Sequence, residues 1–165
     1  ALTLSGLPTR RFCFEAFLPT DKKERQWILE ELKQETRTMI VYEAPHHLVR
    51  TLEELGTALG MDRRLTLCRE LTKRYEEAYQ STFAEALQRF ETEEPKGECV
   101  IVIEGRSIED LKREQQKSWE EMSLEDHMEV YLAQGIDRKE AMKKVAKDRG
   151  ISKRDVYQGL MEREG

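Results

Sequence analysis

Charged residues stand beside apolar, strand-like runs at three places in this sequence. They follow the runs 38–42 and 64–68 and precede the run 99–103. In open α/β sheets, ligands bind beyond the strand ends, where loops converge, and a carboxylate in such a loop can act as a general base. Glu43 and Glu70 are of the right type for that role. Ordinary solvated loops would show the same spacing, so the pattern alone does not assign a function.

Several well-known chemical signatures are absent from the sequence. It contains no P-loop, G-x-G-x-x-G, G-x-S-x-G or C-x-x-C motif, which argues against the protein classes that these motifs define. His46 and His47 are adjacent, and neighbouring residues on a helix point about 100° apart, so they are poorly placed to share a metal ion. No metal site is predicted. The two imidazoles either face solvent or contact an anionic ligand at the positive end of a helix.

The composition predicts a small core and a heavily charged surface, because 38% of the 165 residues are hydrophobic and 37% are charged. No apolar run approaches the roughly 18 residues of a membrane span, and the first residues lack the signal-peptide pattern. Cys13, Cys68 and Cys99 lie far apart in strand-like segments, which is typical of reduced core thiols in a cytoplasmic protein. The net charge of -5 does not by itself indicate a nucleic-acid-binding protein, so local charge patterns matter more.

Strand-like and helix-like segments alternate over residues 1–105. Five apolar runs of strand length interleave with three amphipathic segments that begin near Asp21, His46 and Thr82. This alternation predicts an α/β fold, a mixed sheet of about five strands with flanking helices.

The remainder of the chain lacks strand signals. Residues 106–122 are mostly polar and are predicted to form a solvated helix or a charged linker. Residues 123–165 are predicted to form a small all-helical extension. Helix starts are indicated where a capping residue precedes an acidic one by three positions, at Ser123, Asp137 and Ser152. A three-helix extension is therefore predicted. Its core is formed by an apolar stripe of Leu124, Met128, Tyr131 and Leu132, completed by Ala141, Val145, Val156, Tyr157 and Leu160.

Four motifs together resemble the bacterial ribosomal RNA small subunit methyltransferase I family, of the tetrapyrrole methylase superfamily. They are residues 5–19, 42–46, 69–73, and 97–98 with 102–105, in the family's order and approximate spacing. The chain then corresponds to the family's C-terminal part, with residues 1–9 as an inter-domain link. The N-terminal domain, with its glycine-rich cofactor loop, is not in this sequence. His47 stands where many relatives carry arginine.

The resemblance implies an S-adenosylmethionine-dependent methyltransferase that 2′-O-methylates a cytidine of small-subunit ribosomal RNA. In this family the cofactor lies between two domains, so this chain is expected to supply one wall and to be inactive alone. The full-length protein is expected to be a homodimer. No catalytic residue is assigned. The expected cofactor wall comprises Tyr42, Glu43, Ala44, Glu70, Leu71, Gly97 and Glu98. The expected RNA-binding residues are Arg69, Lys73, Lys139, Lys143 and Lys147.

The last three of these lysines recur every four residues and would line one face of a helix. A solvated helix face without a partner has the same pattern. Two alternative functions also stay open. The first is methylation of a tetrapyrrole or another small molecule, against which the basic tail argues. The second is a non-catalytic module that binds nucleic acid or protein.

Overall fold

The computed structural model describes residues 1–161, and the chain divides into two compact units, Ala1–Ser107 and Ile108–Gly165. The first unit contains a five-stranded mixed sheet with helices packed on it, which confirms the predicted fold class. Its strands are β1 Phe12–Phe17, β2 Thr38–Glu43, β3 Arg64–Arg69, β4 Glu77–Thr82 and β5 Cys99–Ile103. Its helices are α1 Leu2–Ser5, α2 Lys22–Leu32, α3 Pro45–Leu59 and α4 Phe83–Phe90.

The sheet has the strand order β1-β2-β5-β3-β4. Strand β5, the most apolar run of the sequence, lies at the centre and runs antiparallel to both β2 and β3. Cys99 at the start of β5 therefore pairs with Glu43 at the end of β2 and with Arg69 at the end of β3. As a consequence, the loops that follow β2 and β3 and the loop that precedes β5 meet at the same end of the strands.

The two faces of the sheet are covered differently. On one face, leucines of α2 and α3 and the fully buried Phe83 of α4 pack on β2, β3 and β5 to form the main core. On the other face, Leu7 packs against Ile40 and Val102. Residues 1–9, predicted as a link, contain the short helix α1. They are tied to the sheet where Thr38 Oγ1 donates to the Pro8 carbonyl at 2.7 Å.

The second unit consists of α5 Ile108–Glu121, α6 Leu124–Leu132, α7 Arg138–Arg149 and α8 Lys153–Met161. Within the described part of the chain it thus has four helices, because most of the predicted linker 106–122 forms α5. Of the two predicted alternatives, helix and linker, the helix is the one that forms, and the stripe of α5 that packs is narrow and only half-buried. Gln116 Nε2 donates to the Arg149 carbonyl at 2.9 Å, and Trp119 stacks on His127.

In the second unit the predicted helix starts agree with the structure, whereas the predicted core agrees only in part. Ser123, Asp137 and Ser152 all accept hydrogen bonds from backbone N–H groups three residues on, as expected. The core contains the predicted Met128, Ala141, Val145, Val156 and Leu160, and Met142 and Ala146 join them. Leu132, also predicted there, is 36% exposed. Tyr157, predicted in that core, is 55% exposed. The apolar pattern cannot distinguish the two sides of a short helix whose buried stripe is only Val156 and Leu160.

A buried histidine joins three helices of the second unit. His127 is fully buried, its Nε2 lies 3.3 Å from Asp148 Oδ2, and its ring stacks on Trp119 with centroids 4.0 Å apart. Arg149 Nε donates to His127 Nδ1 at 3.1 Å. Because a guanidinium can only donate, Nδ1 must be unprotonated and the imidazole neutral, with its proton on Nε2 facing Asp148. Tyr131 also donates to Asp148, and this bond raises the pKa of Tyr131 to about 12.

His127 is expected to make the stability of the second unit depend on pH. Burial, followed by the charge of Arg149, lowers the pKa of His127, while Asp148 raises it. The unfolded chain therefore takes up this proton at a higher pH than the folded unit. Stability is complete above the unfolded pKa of about 6.5 and falls as the pH drops through the folded pKa, by at most about 1.4 kcal/mol per pH unit.

Urea unfolding on the two sides of the ordinary histidine pKa measures this effect. A Trp27→Phe background leaves Trp119 as the only tryptophan, and its fluorescence reports the second unit. His127→Phe keeps a ring stacked on Trp119 but cannot titrate. Its urea midpoint should therefore fall less at acid pH than the midpoint of the protein that retains His127. Equal acid losses in both proteins would show that other groups cause them.

Candidate functional site

A cavity of about 510 Å³ opens at the end of the sheet where β2 and β3 end and β5 begins. The residues that line it come from the ends of β1 and β2, the starts of α3 and β5, and the loops beside these strands and β3. They are Phe17, Tyr42, Glu43, Ala44, Pro45, Glu70, Leu71, Lys73, Glu98, Cys99 and Val100. The structure thus brings together six of the seven residues expected to form the cofactor wall.

The seventh residue, Gly97, lies directly behind the lining. Its φ is +76°, and a Cβ built on it would lie 2.3 Å from Glu70 Oε1. Only a glycine both adopts this backbone conformation and leaves room for the Glu70 carboxylate. Gly97 therefore sets the position of a side chain that lines the cavity.

The loop after β3 has an unusual backbone. Glu70 has φ +48° and Thr72 has φ +63°, in the left-handed region that non-glycine residues rarely adopt. The conformation is held by the Lys73 amide, which donates to the Glu70 carbonyl at 2.9 Å, and by the Glu70 amide, which reaches the Glu98 carbonyl at 3.4 Å. Strained backbone of this kind concentrates at ligand-binding sites, where surrounding contacts over-determine it.

Glu43 is the deepest carboxylate of the site, only 7% exposed. Its Oε1 accepts from the Ala44 amide at 2.8 Å, and its Oε2 accepts from Thr51 Oγ1 at 2.6 Å. Thr51 Oγ1 in turn accepts from Arg25 Nη2 at 2.8 Å, and Arg25 is fixed by an ion pair with Glu54. This chain of contacts from α2 through α3 holds the Glu43 carboxylate in one orientation at the N-terminal end of α3, where negative charge is favourable.

The lining carries more negative than positive charge. Three carboxylates, Glu43, Glu70 and Glu98, face one ammonium, Lys73, and three negative charges less one positive charge leave a net charge of -2. Lys73 Nζ lies 3.3 Å from Glu70 Oε1 and 3.8 Å from Glu98 Oε2. Such a wall attracts a cationic ligand group more than an anionic one.

Aromatic rings form the outer rim on the β1 side. A register shift between Phe14 and Ala16, with Ala16 at φ +51°, marks a β-bulge in β1. Beyond it, the 62% exposed Phe17 lies 5.8 Å from the Tyr42 ring, in an edge-on arrangement. Sequence reasoning missed Phe17 as a site residue, although it belongs to the first motif, because an aromatic residue in an edge strand is ordinarily structural.

Nucleophilic chemistry by the thiol of the cavity is not supported. Burial raises the pKa of the Cys99 thiol to about 11, although the charge of Arg69 lowers it. At neutral pH the sulfur is therefore protonated and a poor nucleophile. Among the residues that the structure describes, no group of three His, Cys, Asp or Glu side chains is placed to hold a metal ion.

The residues expected to bind RNA fall into different places. Lys73 lies at the cavity rim, whereas Arg69 is outside the lining and pairs with Glu77, which Arg89 also contacts at 2.9 Å. The others lie on the second unit, along α7. There Lys139 and Lys147 are exposed, and Lys143 pairs with Glu140 at 2.9 Å.

Comparison with known proteins finds relatives along nearly the whole chain. A protein of Synechocystis is 42% identical over 99% of this chain, one of Halalkalibacterium halodurans is 44% identical over 95%, and one of Bacillus subtilis is 41% identical over 95%. All three are named ribosomal RNA small subunit methyltransferase I. The chain belongs to this family. The prediction that it is the C-terminal part of a member is confirmed.

The chain spans 53% to 57% of the length of these curated relatives. No family model matches the chain. Among solved structures, the methyltransferase CobJ matches with a TM-score of 0.44 and 18% identity, over 66% of this chain and 50% of that one. No helix within residues 1–161 has both the length and the apolar character needed to cross a membrane.

Proposed function

We propose that this chain forms one wall of the active site of a cytoplasmic S-adenosylmethionine-dependent enzyme. The enzyme methylates a cytidine of small-subunit ribosomal RNA at the ribose 2′ oxygen. The observation that carries the proposal is the cavity at the strand ends, where three separate motifs of a chain in this methyltransferase family converge. The remainder of the full-length protein supplies the opposite wall, and two copies form a homodimer.

The chemistry of the cavity fits this methyl donor. The donor carries a sulfonium and an ammonium group, and the lining has a net charge of -2. The rings of Phe17 and Tyr42 offer faces to a cation or to an adenine. Backbone groups of Ala44 and Leu71 at the strand ends can read the edge of the adenine. The bound cofactor supplies an electrophilic methyl group, so the protein acts mainly by positioning the reactants.

The RNA is proposed to approach from the rim and to contact the basic surface of the second unit. Lys73 is available at the rim, because its pairing with Glu70 is partly exposed and exposed pairs are weak. Arg69 would have to leave Glu77 to reach a phosphate. In the second unit the proposed contacts are Lys139, Lys143 and Lys147, whose side chains can neutralise phosphates on one helix face.

Methyl-donor binding and methyl transfer test the proposed function. The full-length enzyme should bind S-adenosylmethionine in calorimetry and transfer labelled methyl to ribosomal 30S subunits. This 165-residue chain alone should bind the donor at least tenfold more weakly, because half a cleft leaves most of the ligand in water. Full-affinity binding by the chain alone would contradict the shared site. Transfer to uroporphyrinogen instead of 30S subunits would favour an enzyme that acts on small molecules. Transfer to neither substrate would favour a non-catalytic binding module.

A further inference from the structure

A second cavity, of about 550 Å³, lies within the second unit, between the first turns of α7 and α8. It is distinct from the cavity at the strand ends, which belongs to the first unit. Its walls combine cationic and apolar side chains and contain no carboxylate. They are formed by Arg138, Lys139, Met142, Lys153, Arg154 and Tyr157. We call this feature the α7–α8 cleft.

The apolar part of the cleft is Met142 and the ring of Tyr157. Met142 is buried and forms the floor, whereas Tyr157 is 55% exposed and has no hydrogen-bond partner among the described residues. An exposed tyrosine beside a buried methionine leaves apolar surface in contact with water when no ligand is present, which is unfavourable. A flat ligand placed on the tyrosine ring would remove that surface from water.

The charges of the cleft are arranged against local stability. Arg138 and Lys139 occupy the first turn of α7, and Lys153 and Arg154 occupy the first turn of α8. Positive charge is unfavourable there, because the N-terminal end of a helix is itself positive. Like charges from two helices also repel each other across the cleft. An anion in the cleft would offset both effects.

The neighbouring carboxylates form no salt bridge with these cations among the described residues, although Asp155 is near enough to Arg154 to feel its charge. Asp137 caps α7 by accepting from backbone amides, and Asp155 accepts from the Ser152 amide at 3.0 Å. Glu140 pairs with Lys143 on the same helix. In the described part of the chain, none of the four cations of the cleft has a salt bridge. Four positive charges without a salt bridge among those residues, in a chain whose net charge is -5, make the cleft electrostatically distinct.

We propose that the α7–α8 cleft binds one unstacked nucleotide of a single-stranded RNA segment. The base stacks on the Tyr157 ring over Met142, and the flanking phosphates contact Arg138, Lys139, Lys153 and Arg154. Sequence-tolerant recognition of single strands combines these two elements, an aromatic platform and a positive groove. Duplex RNA offers phosphates but no free base face, and an acidic peptide offers charge but no stacking partner, so neither uses the Tyr157 ring.

This inference rests on the proposed function for the identity of the RNA. It assigns to the second unit a separate role, the binding of one unstacked nucleotide. The methyl transfer assay with full-length enzyme tests the function. Binding of a labelled, mixed-sequence single-stranded oligoribonucleotide to the 165-residue chain tests the cleft. The two assays can fail independently, so failure of one is distinguishable from failure of the other.

Tyr157→Ala should weaken oligoribonucleotide binding about tenfold, in the range expected for removing one base–aromatic stack, and Tyr157→Phe should retain it. The double variant Arg138→Gln with Lys153→Gln should lower the slope of log affinity against log salt by about 1.4, or about 0.7 for each phosphate that is no longer neutralised. Lys112→Gln with Lys117→Gln removes the same charge from α5 and should leave that slope unchanged. Circular dichroism checks that the helix content of each variant is retained.

Three results would overturn the proposal. The first is Tyr157→Ala binding as tightly as the unaltered chain. The second is duplex RNA binding with the same dependence on Tyr157, and the third is polyglutamate competing as well as RNA, which would point to an acidic protein partner. If the full-length Tyr157→Ala enzyme transferred methyl groups as fast as the unaltered enzyme, the proposed function would stand, but the cleft would have no part in it.

Discussion

Gly97→Ala is expected to destabilise the first unit by about 2 to 5 kcal/mol, the combined cost of a left-handed non-glycine residue and of overpacking. Gly97 has φ +76°, and the new Cβ would lie 2.3 Å from Glu70 Oε1 and 2.8 Å from Glu70 Cδ. The Glu70 side chain must then leave its position in the cavity wall. The same substitution in the full-length enzyme is therefore expected to weaken binding of the methyl donor at least tenfold.

Urea-dependent hydrogen exchange of peptides from β3 and β5 measures the stability of the first unit separately from that of the second. Gly6→Ala is the matched control, because Gly6 has φ +69° but its Cβ would meet only the end of the Gln80 side chain, at 3.3 Å. It should show the backbone cost alone, about 1 to 2 kcal/mol. Adding Glu70→Ala to Gly97→Ala should recover the steric part. Equal losses for the two glycines would show that the contact with Glu70 is unimportant.

Thr51→Val is expected to destabilise the first unit by about 2 to 3 kcal/mol, the range for loss of a hydrogen bond to a buried charged group. The isosteric valine removes the donor to Glu43 Oε2 and the acceptor for Arg25 Nη2. The buried Glu43 carboxylate would retain the Ala44 amide and the more distant His47 Nδ1, which lies 3.9 Å from Oε1. Freed from its partner, it should turn toward solvent in the cavity, so the full-length enzyme should also bind the methyl donor more weakly.

Thr57→Val provides the control for this prediction. Thr57 lies on the same helix, α3, but is exposed, and the same substitution there should change stability by less than about 0.5 kcal/mol. Stability is read from the urea midpoint and donor affinity from calorimetry. If Thr51→Val lowered stability without changing donor affinity, Thr51 would support only the fold and would not position Glu43.

Much of the secondary structure follows from local patterns. Strand β5 occupies the run 99–103 that its apolar residues predicted, and α4 begins where expected, with Thr82 and Glu85 forming a reciprocal cap. Helix α3 begins at Pro45, one residue before the predicted start, because proline suits the first position of a helix. These features depend on residues within a few positions of each other, which is why a single sequence reveals them.

Other features escaped prediction because their cause is not local. The sequence left open whether residues 106–122 form a helix or a linker, because few residues of α5 pack, notably Trp119 against His127. Tyr157 looked like a core residue because its apolar neighbours in sequence are buried, yet the side of α8 that it occupies is open. Which side of a short helix is covered depends on where the other helices lie, and no pattern along α8 contains that information.

Local sequence patterns identify the components of the candidate site: the strand-end loops, their carboxylates, and the motifs that place the chain in its family. That these loops meet follows from the fold, because the central, antiparallel position of β5 brings Glu98 beside Glu43 and Glu70. The fold also decides that Glu43 is buried and held by Thr51 from a neighbouring helix. Amphipathic periodicity and capping depend on residues close together in the chain, whereas strand order and burial depend on contacts between residues far apart in it.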